Sequence, residues 1–225
     1  MRRIAAVVLL VAALGLISGC DWLLRDKTEK HYEVGGGVHT VSVTGTAVDL
    51  DVVAGKGPIS VDEIIRYNGD VPETGHQVRG GVLTLDSDGC TAGKACRVRY
   101  RVTVPATVAV QADLDAGTIE TTGLSGRLAL RLGAGQVTAH RALSRSADVR
   151  VDVGDVDLRY AAVPDRVAVT SSTGAVEVTL PGQGPYAVTT RIDVGQNTVK
   201  VPSVPGAAHA VDVRVDVGQI TVSPA

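Results

Sequence analysis

Aromatic residues are almost missing from this sequence: its 225 residues include no Phe, one Trp and five Tyr. The interior must therefore be built from aliphatic side chains, and the aromatic platform on which a protein stacks sugar rings is excluded. Charge of one sign is missing too. Twenty-two basic residues against 24 acidic ones give a net charge of −2, which leaves no electrostatic footprint for nucleic acid. No stretch sustains a 3.6-residue apolar period, so helices are not expected. What is abundant is Val, at 39 of 225 positions. Hydrophobic residues make up 44% of the chain, too many for a disordered one, and a β-branched composition favours strands.

Arg2 and Arg3 precede an apolar run from Ile4 to Ile17, followed by Ser18, Gly19 and Cys20. This is the pattern of a secretion signal. Fourteen helical residues span about 21 Å, short of the ~30 Å hydrocarbon core, which disfavours a permanent membrane span. Ile17-Ser18-Gly19-Cys20 resembles the bacterial lipobox. That resemblance implies a signal peptide over 1–19 and a lipidated Cys20, palmitate included, as the mature amino terminus. An ordinary signal or anchor helix with an incidental Cys is the alternative. Removing 1–19 takes away two Arg and leaves 20 − 24 = −4. A doubly or triply acylated terminus holds a protein to a bilayer. The expected location is the bacterial cell membrane, with the domain on the extracytoplasmic side.

Two cysteines remain, Cys90 and Cys96, in Asp88-Gly-Cys-Thr-Ala-Gly-Lys-Ala-Cys-Arg97. Outside the cytoplasm an even pair is a disulfide candidate. A redox pair would have a two-residue spacer at a helix start, and a tetrahedral zinc site would need a second pair.

The sequence divides into a leader (1–19), a lipidated Cys with tether (20–38) that ends in Gly35-Gly36-Gly37, and a β-domain (39–225). Glu29 to Val34 is a possible first strand. Apolar and polar residues alternate in Val41-Ser-Val43, Val48-Asp-Leu50-Asp-Val52, Val82-Leu-Thr-Leu85 and Val98-Arg-Tyr100-Arg-Val102-Thr-Val104, the period of strands. The second half repeats a unit of Gly, any residue, a β-branched residue and a polar one, at Gly117, Gly135, Gly154, Gly174 and Gly218. Gly195 begins the same unit with one residue inserted. Successive Gly-to-Gly intervals are 18, 19, 20, 21 and 23, the length of one coil in a β-solenoid. The predicted fold is all-β: a β-solenoid or β-roll stacking coil on coil, with a β-sandwich as the competitor.

The Cys90 to Cys96 pair, the strand Arg97-Val-Arg-Tyr-Arg-Val-Thr-Val-Pro105 and the serial Gly-x-Val units together resemble the putative adhesin family of domains of unknown function. The likeness covers about Thr40 to Val222. It implies a repetitive β-fold on a bacterial envelope, often lipid- or membrane-anchored, and carries no substrate. Ile64-Ile65, Asn68-Gly69-Asp70 and Val71-Pro72 interrupt the pattern, which leaves the number of coils in the first half open.

Catalytic signatures are absent. Gly-x-Ser-x-Gly does not occur, and Gly123-Leu-Ser125-Gly126 falls one residue short and is read as a turn. The His residues, at 31, 39, 76, 140 and 209, form no i, i+2 or i, i+4 pair. Gly55-Lys-Gly57 and Gly133-Ala-Gly135 lack the remainder of a phosphate loop. Asp115, Asp152, Asp193 and Asp216 each stand two residues before a unit Gly. Stacked coils would align these four carboxylates as calcium candidates, and the alternative is that each serves its own turn. Arg97, Arg99 and Arg101 alternate on one strand face, a cationic strip for an acidic polymer or headgroup, or else an ordinary solvated face.

No enzyme activity, cofactor or nucleic-acid partner is expected. The leading expectation is an envelope lipoprotein that displays a β-solenoid surface to a protein or polymer. An accessory or sensory component of an envelope-stress system is the alternative. A carbohydrate-active enzyme is disfavoured by the missing aromatic platform.

Overall fold

Aliphatic residues at alternate positions, Val above all, dictate the architecture. The computed structural model describes residues 26–89, 95–182 and 184–225. The expected leader, Cys20 and Cys90 lie outside those residues. Twelve strands follow one another: β1 (Asp26–Val34), β2 (Thr40–Ala54), β3 (Ile59–Tyr67), β4 (Thr74–Arg79), β5 (Val82–Ser87), β6 (Cys96–Val104), β7 (Ala109–Thr122), β8 (Leu128–Ala142), β9 (Ser146–Tyr160), β10 (Arg166–Leu180), β11 (Tyr186–Val199) and β12 (His209–Pro224). They form one mixed sheet, and the described residues contain no helix. The sheet begins at Asp26, inside the segment assigned from sequence to the tether.

Each long strand is two arms joined at a corner. In β10 the buried positions are Val167, Val169 and Ser171, then Val176, Val178 and Leu180. Their parity changes from odd to even across Thr173 and Gly174. An uninterrupted strand would turn the second set to the opposite face, so the bend keeps both arms facing one core. The same phase change occurs in β7, β8, β9 and β12. Among the described residues, forty-five buried apolar side chains, from both sets of arms, the flanking strands and the turns, form a single cluster.

The corners stack glycine on glycine. Gly117 pairs with Gly135, Gly135 with Gly154 and Gly174 with Gly218, and Gly218 with Gly195. All six unit glycines have φ between 136° and 148°, where a side chain is strained. A Cβ at Gly154 would also strike the carbonyl oxygen of Gly135 on the neighbouring strand. Both constraints demand Gly.

Parallel pairs run in register from β2 through β7, β8, β9 and β10, and then to β12 and β11. The last step departs from consecutive stacking, because the carboxy-terminal strand enters between β10 and β11. Side chains explain the choice. β12 offers Val211, Val213, Val215, Ile220 and Val222 to the core, all buried. β11 places Thr190 and Asn197 opposite Val213 and Ile220, polar residues better suited to the end of a stack. Nor does β11 contain an insertion: Gly195, Asn197 and Val199 match Gly218, Ile220 and Val222 one for one. Asn197 simply replaces the β-branched residue.

At the other end the arms separate. The first arm of β2 pairs with β5, which pairs with β4, while the second arm pairs with β6, followed by β3 and β1. Polar contacts close the gap between these layers. The Tyr100 hydroxyl donates to the Asp86 carbonyl at 3.1 Å, and Tyr32 stacks on His76 with ring centroids 4.1 Å apart. Glu63, 2% exposed, accepts from Lys30 at 3.0 Å and from the Thr74 hydroxyl.

Candidate interaction surfaces

The corner phase change points apolar side chains inward and leaves two long outer faces. On the first arms, lateral register arranges the outward residues into columns. Asp113, Arg131, Arg150, Thr170, Arg214 and Arg191 stand at one level. Asp148 and Asp212 lie on one side of that column. Asp115, Gly133, Asp152, Ser172, Asp216 and Asp193 lie on the other, so the sheet brings the four sequence-predicted aspartates to one level. Gly133 and Ser172 separate them, except for Asp216 beside Asp193. Among the described residues no group of three or more His, Cys, Asp or Glu side chains converges as a metal site.

Arginine neutralises most of this face. Arg150 reaches Asp148 at 2.8 Å, Arg214 reaches Asp212 at 3.0 Å, and Arg191 lies 3.3 Å from Asp193. Such exposed i, i+2 pairs contribute little to stability, so they are free to exchange partners. Beside Arg131 and Arg150, where the small side chain of Ala129 stands between Gln111 and Asp148, lies a groove of about 500 Å3 lined also by Asp113. At the corners an apolar ridge runs alongside. Val153, Val217 and Val194 are 56%, 48% and 63% exposed. The residue before each unit Gly falls outside the alternation, which is why strand periodicity does not reveal this ridge.

On the second arms Arg97, Arg99 and Arg101 are exposed, as alternation predicts, and β2 places acids against them. Asp49 is opposite Arg99 and Asp51 opposite Arg101. Arg101 Nε donates to Asp51 at 2.9 Å. Asp49, nearly buried, accepts from the Thr118 hydroxyl at 3.0 Å, while Arg97 and Arg99 approach its other oxygen at 3.3 and 3.6 Å. That oxygen has no well-directed hydrogen-bond donor among the described residues, so the attraction there is chiefly Coulombic. A cleft of about 230 Å3 gathers Lys27, Arg66, Arg97 and Arg99 around Asp49. The strip is thus a paired network, in which Asp62 on β3, opposite Arg101, adds a third carboxylate to Asp49 and Asp51. Its acids were legible in the alternation of Val48-Asp-Leu50-Asp-Val52, but their pairing depends on the register of β2 with β6.

The remaining sequence-predicted residues are dispersed. Cys96 opens β6 opposite Tyr67. Ser125 sits in the turn between β7 and β8, where its hydroxyl donates to the Ala106 carbonyl at 3.0 Å. His31 contacts Asp62 at 2.7 Å, His140 contacts Glu120 at 3.2 Å, and His209 Nδ1 is 2.9 Å from the Pro164 carbonyl. No two of these His share a site.

No family model matches the chain, and no curated protein does. Among solved structures, a putative cell adhesion protein from Clostridium sporogenes is similar over 89% of this chain and 100% of its own, with 16% identity and a TM-score of 0.56. Putative adhesins from Bacteroides fragilis and Parabacteroides distasonis each cover 89% of this chain, and 98% and 97% of their own. Their identities are 12% and 13%, with TM-scores of 0.41 and 0.36. The Clostridium structure establishes a shared fold.

Proposed function

We propose that this chain, which shares its fold with a putative cell adhesion protein, is a non-enzymatic envelope lipoprotein whose β-solenoid displays its charged outer face to an envelope protein or polymer. The single observation that carries the reading is the column arrangement of Asp and Arg across the first arms. It is an extended, addressable surface, the kind by which stacked-strand proteins recognise partners. The solenoid reading rests on the in-register parallel arms and the stacked glycines. The lipid anchor rests on the lipobox at Ile17 to Cys20, with Cys90 and Cys96 joined as a disulfide once exported. An adhesin-like role is the reading nearest to the relatives' names.

In-cell crosslinking of the intact chain, with Cys20→Ser as the control for mislocalised contacts, tests this reading. Capture of an envelope protein or glycan that is lost when Arg131 and Arg150 are changed to Glu supports it. A purified chain that hydrolyses or modifies an envelope component, at a site that mutagenesis removes, overturns it.

A further inference from the structure

The two ends of the sheet are finished differently. At one end β1 presents Lys27, Glu29, His31 and Glu33, charges of the kind that protect an edge from foreign strands. At the other end β11 has a neighbour, β12, on one side only. The segment 201–204 covers the start of its free side. Val204 N–H donates to the Tyr186 carbonyl at 2.7 Å, Val188 N–H donates to Ser203 Oγ at 3.0 Å, and Tyr186 and Ser203 form an isolated parallel bridge. These contacts show which way the backbone faces: the polar groups of Tyr186 and Val188 point away from β12. Strand alternation turns those of Thr190 and Ile192 the same way. Residues 189–195 lie beyond this cover.

We infer that this edge pairs with the same edge of a second copy, antiparallel and centred on Ile192. Side-chain facing allows only registers that place even residues opposite even ones. One step to one side sets Arg191 against Arg191, and one step to the other sets Asp193 against Asp193. The register centred on Ile192 sets Arg191 of each copy against Asp193 of the other, twice by symmetry. It places the outward backbone groups of Ile192 and of Thr190 within reach of the partner's. It also covers Ile192, partly exposed, and Val194, 63% exposed. The seven-residue overlap is small, so pairing is weak in dilute solution and gains from clustering. Nine strand spacings of roughly 4.8 Å, about 43 Å, separate β11 from β1. On the reading that the amino terminus is anchored, paired copies would therefore face each other from opposite surfaces.

Sedimentation velocity of the purified full chain in mild detergent, from micromolar to millimolar concentration, tests the pairing whether or not Cys20 carries lipid. The expected result is a monomer–dimer equilibrium that Arg191→Asp or Asp193→Arg each weakens at least about tenfold and that the double exchange restores to within about threefold. Both side chains are exposed, so the fold tolerates the changes. Ile192→Pro, which removes an outward amide and spares the bonds to β12, should abolish the dimer. A chain that stays monomeric to millimolar concentration, or single and double exchanges that behave alike, overturns the inference.

Discussion

Asn197 Nδ2 donates to Thr190 Oγ1 at 2.8 Å, joining the two arms of the terminal strand at positions where the preceding strand carries Ile220 and Val213. The terminal strand thus carries a polar pair among its inward residues Tyr186, Val188 and Ile192, where the strand beside it is apolar. Changing Thr190 to Val and Asn197 to Ile together would restore the apolar pattern at an end that segment 201–204 covers only at its start. The double variant should be more prone to aggregate on heating, measured by light scattering. Equal aggregation in the double variant and the native chain would show that the pair has no capping role.

The stacked corners make a sharper stability prediction. Gly154→Ala combines a strained φ with a Cβ driven into the Gly135 carbonyl, and should cost about 2–5 kcal/mol in urea unfolding. Gly182→Ala, with open space around its Cβ position, should change stability by no more than about 0.5 kcal/mol.

Alkaline pH should unfold the domain through its tyrosines. Burial pushes the hydroxyls of Tyr100 and Tyr160 well above their usual range, and Glu63, Tyr32 and Asp86 add to the effect at Tyr100. The folded state favours the neutral phenols, so their contribution is fully present below about pH 10, the unfolded value, and is lost as pH rises toward the folded values. Each should add about 1.4 kcal/mol per pH unit to the decline. Tyr160→Phe should remove one such increment and leave neutral-pH stability unchanged or higher, because the Tyr160 hydroxyl has no partner among the described residues. Urea unfolding at several alkaline pH values measures both effects.

Asp49→Ala should cost about 1–3 kcal/mol, since it removes the acceptor of Thr118 and the carboxylate between Arg97 and Arg99. It should also raise retention on anionic vesicles in a salt-sensitive way, because it removes the carboxylate that Arg97 and Arg99 share. Vesicle binding unchanged from the native chain would mean that this cleft takes no part at a surface.

For the proposed Cys90–Cys96 disulfide, a seven-residue closed loop contributes about 2 kcal/mol in the chain-entropy model. Cys90→Ser should lower the melting temperature under oxidising conditions and have little effect in reductant.

Much of the fold was legible because periodicity has a physical cause. Alternation marked the strands, and the recurrent Gly marked the corners. Glu63 was legible in principle as well, since it shares the inward parity of Ile59, Val61 and Ile65. Strand order was not legible, because β11 and β12 carry the same unit and only Thr190 and Asn197 distinguish the terminal one. The outer surfaces were legible only in pieces. Arg97 to Arg101 announced itself along one strand, whereas the partners Asp49 and Asp51 lie about fifty residues away and meet it through parallel register. The Asp column appeared in the spacing of the units, but the Arg column beside it did not, because the units vary at that position.

The central claim is a lipid-anchored β-domain, and the amino terminus tests it most directly. Mass spectrometry of the membrane-extracted protein should find a chain that begins at Cys20 with a diacylglyceryl group on its sulfur, and Cys20→Ser should leave that form absent and the lipobox uncleaved. A chain that begins elsewhere, or an unmodified Cys20 on a membrane-bound protein, would contradict the account.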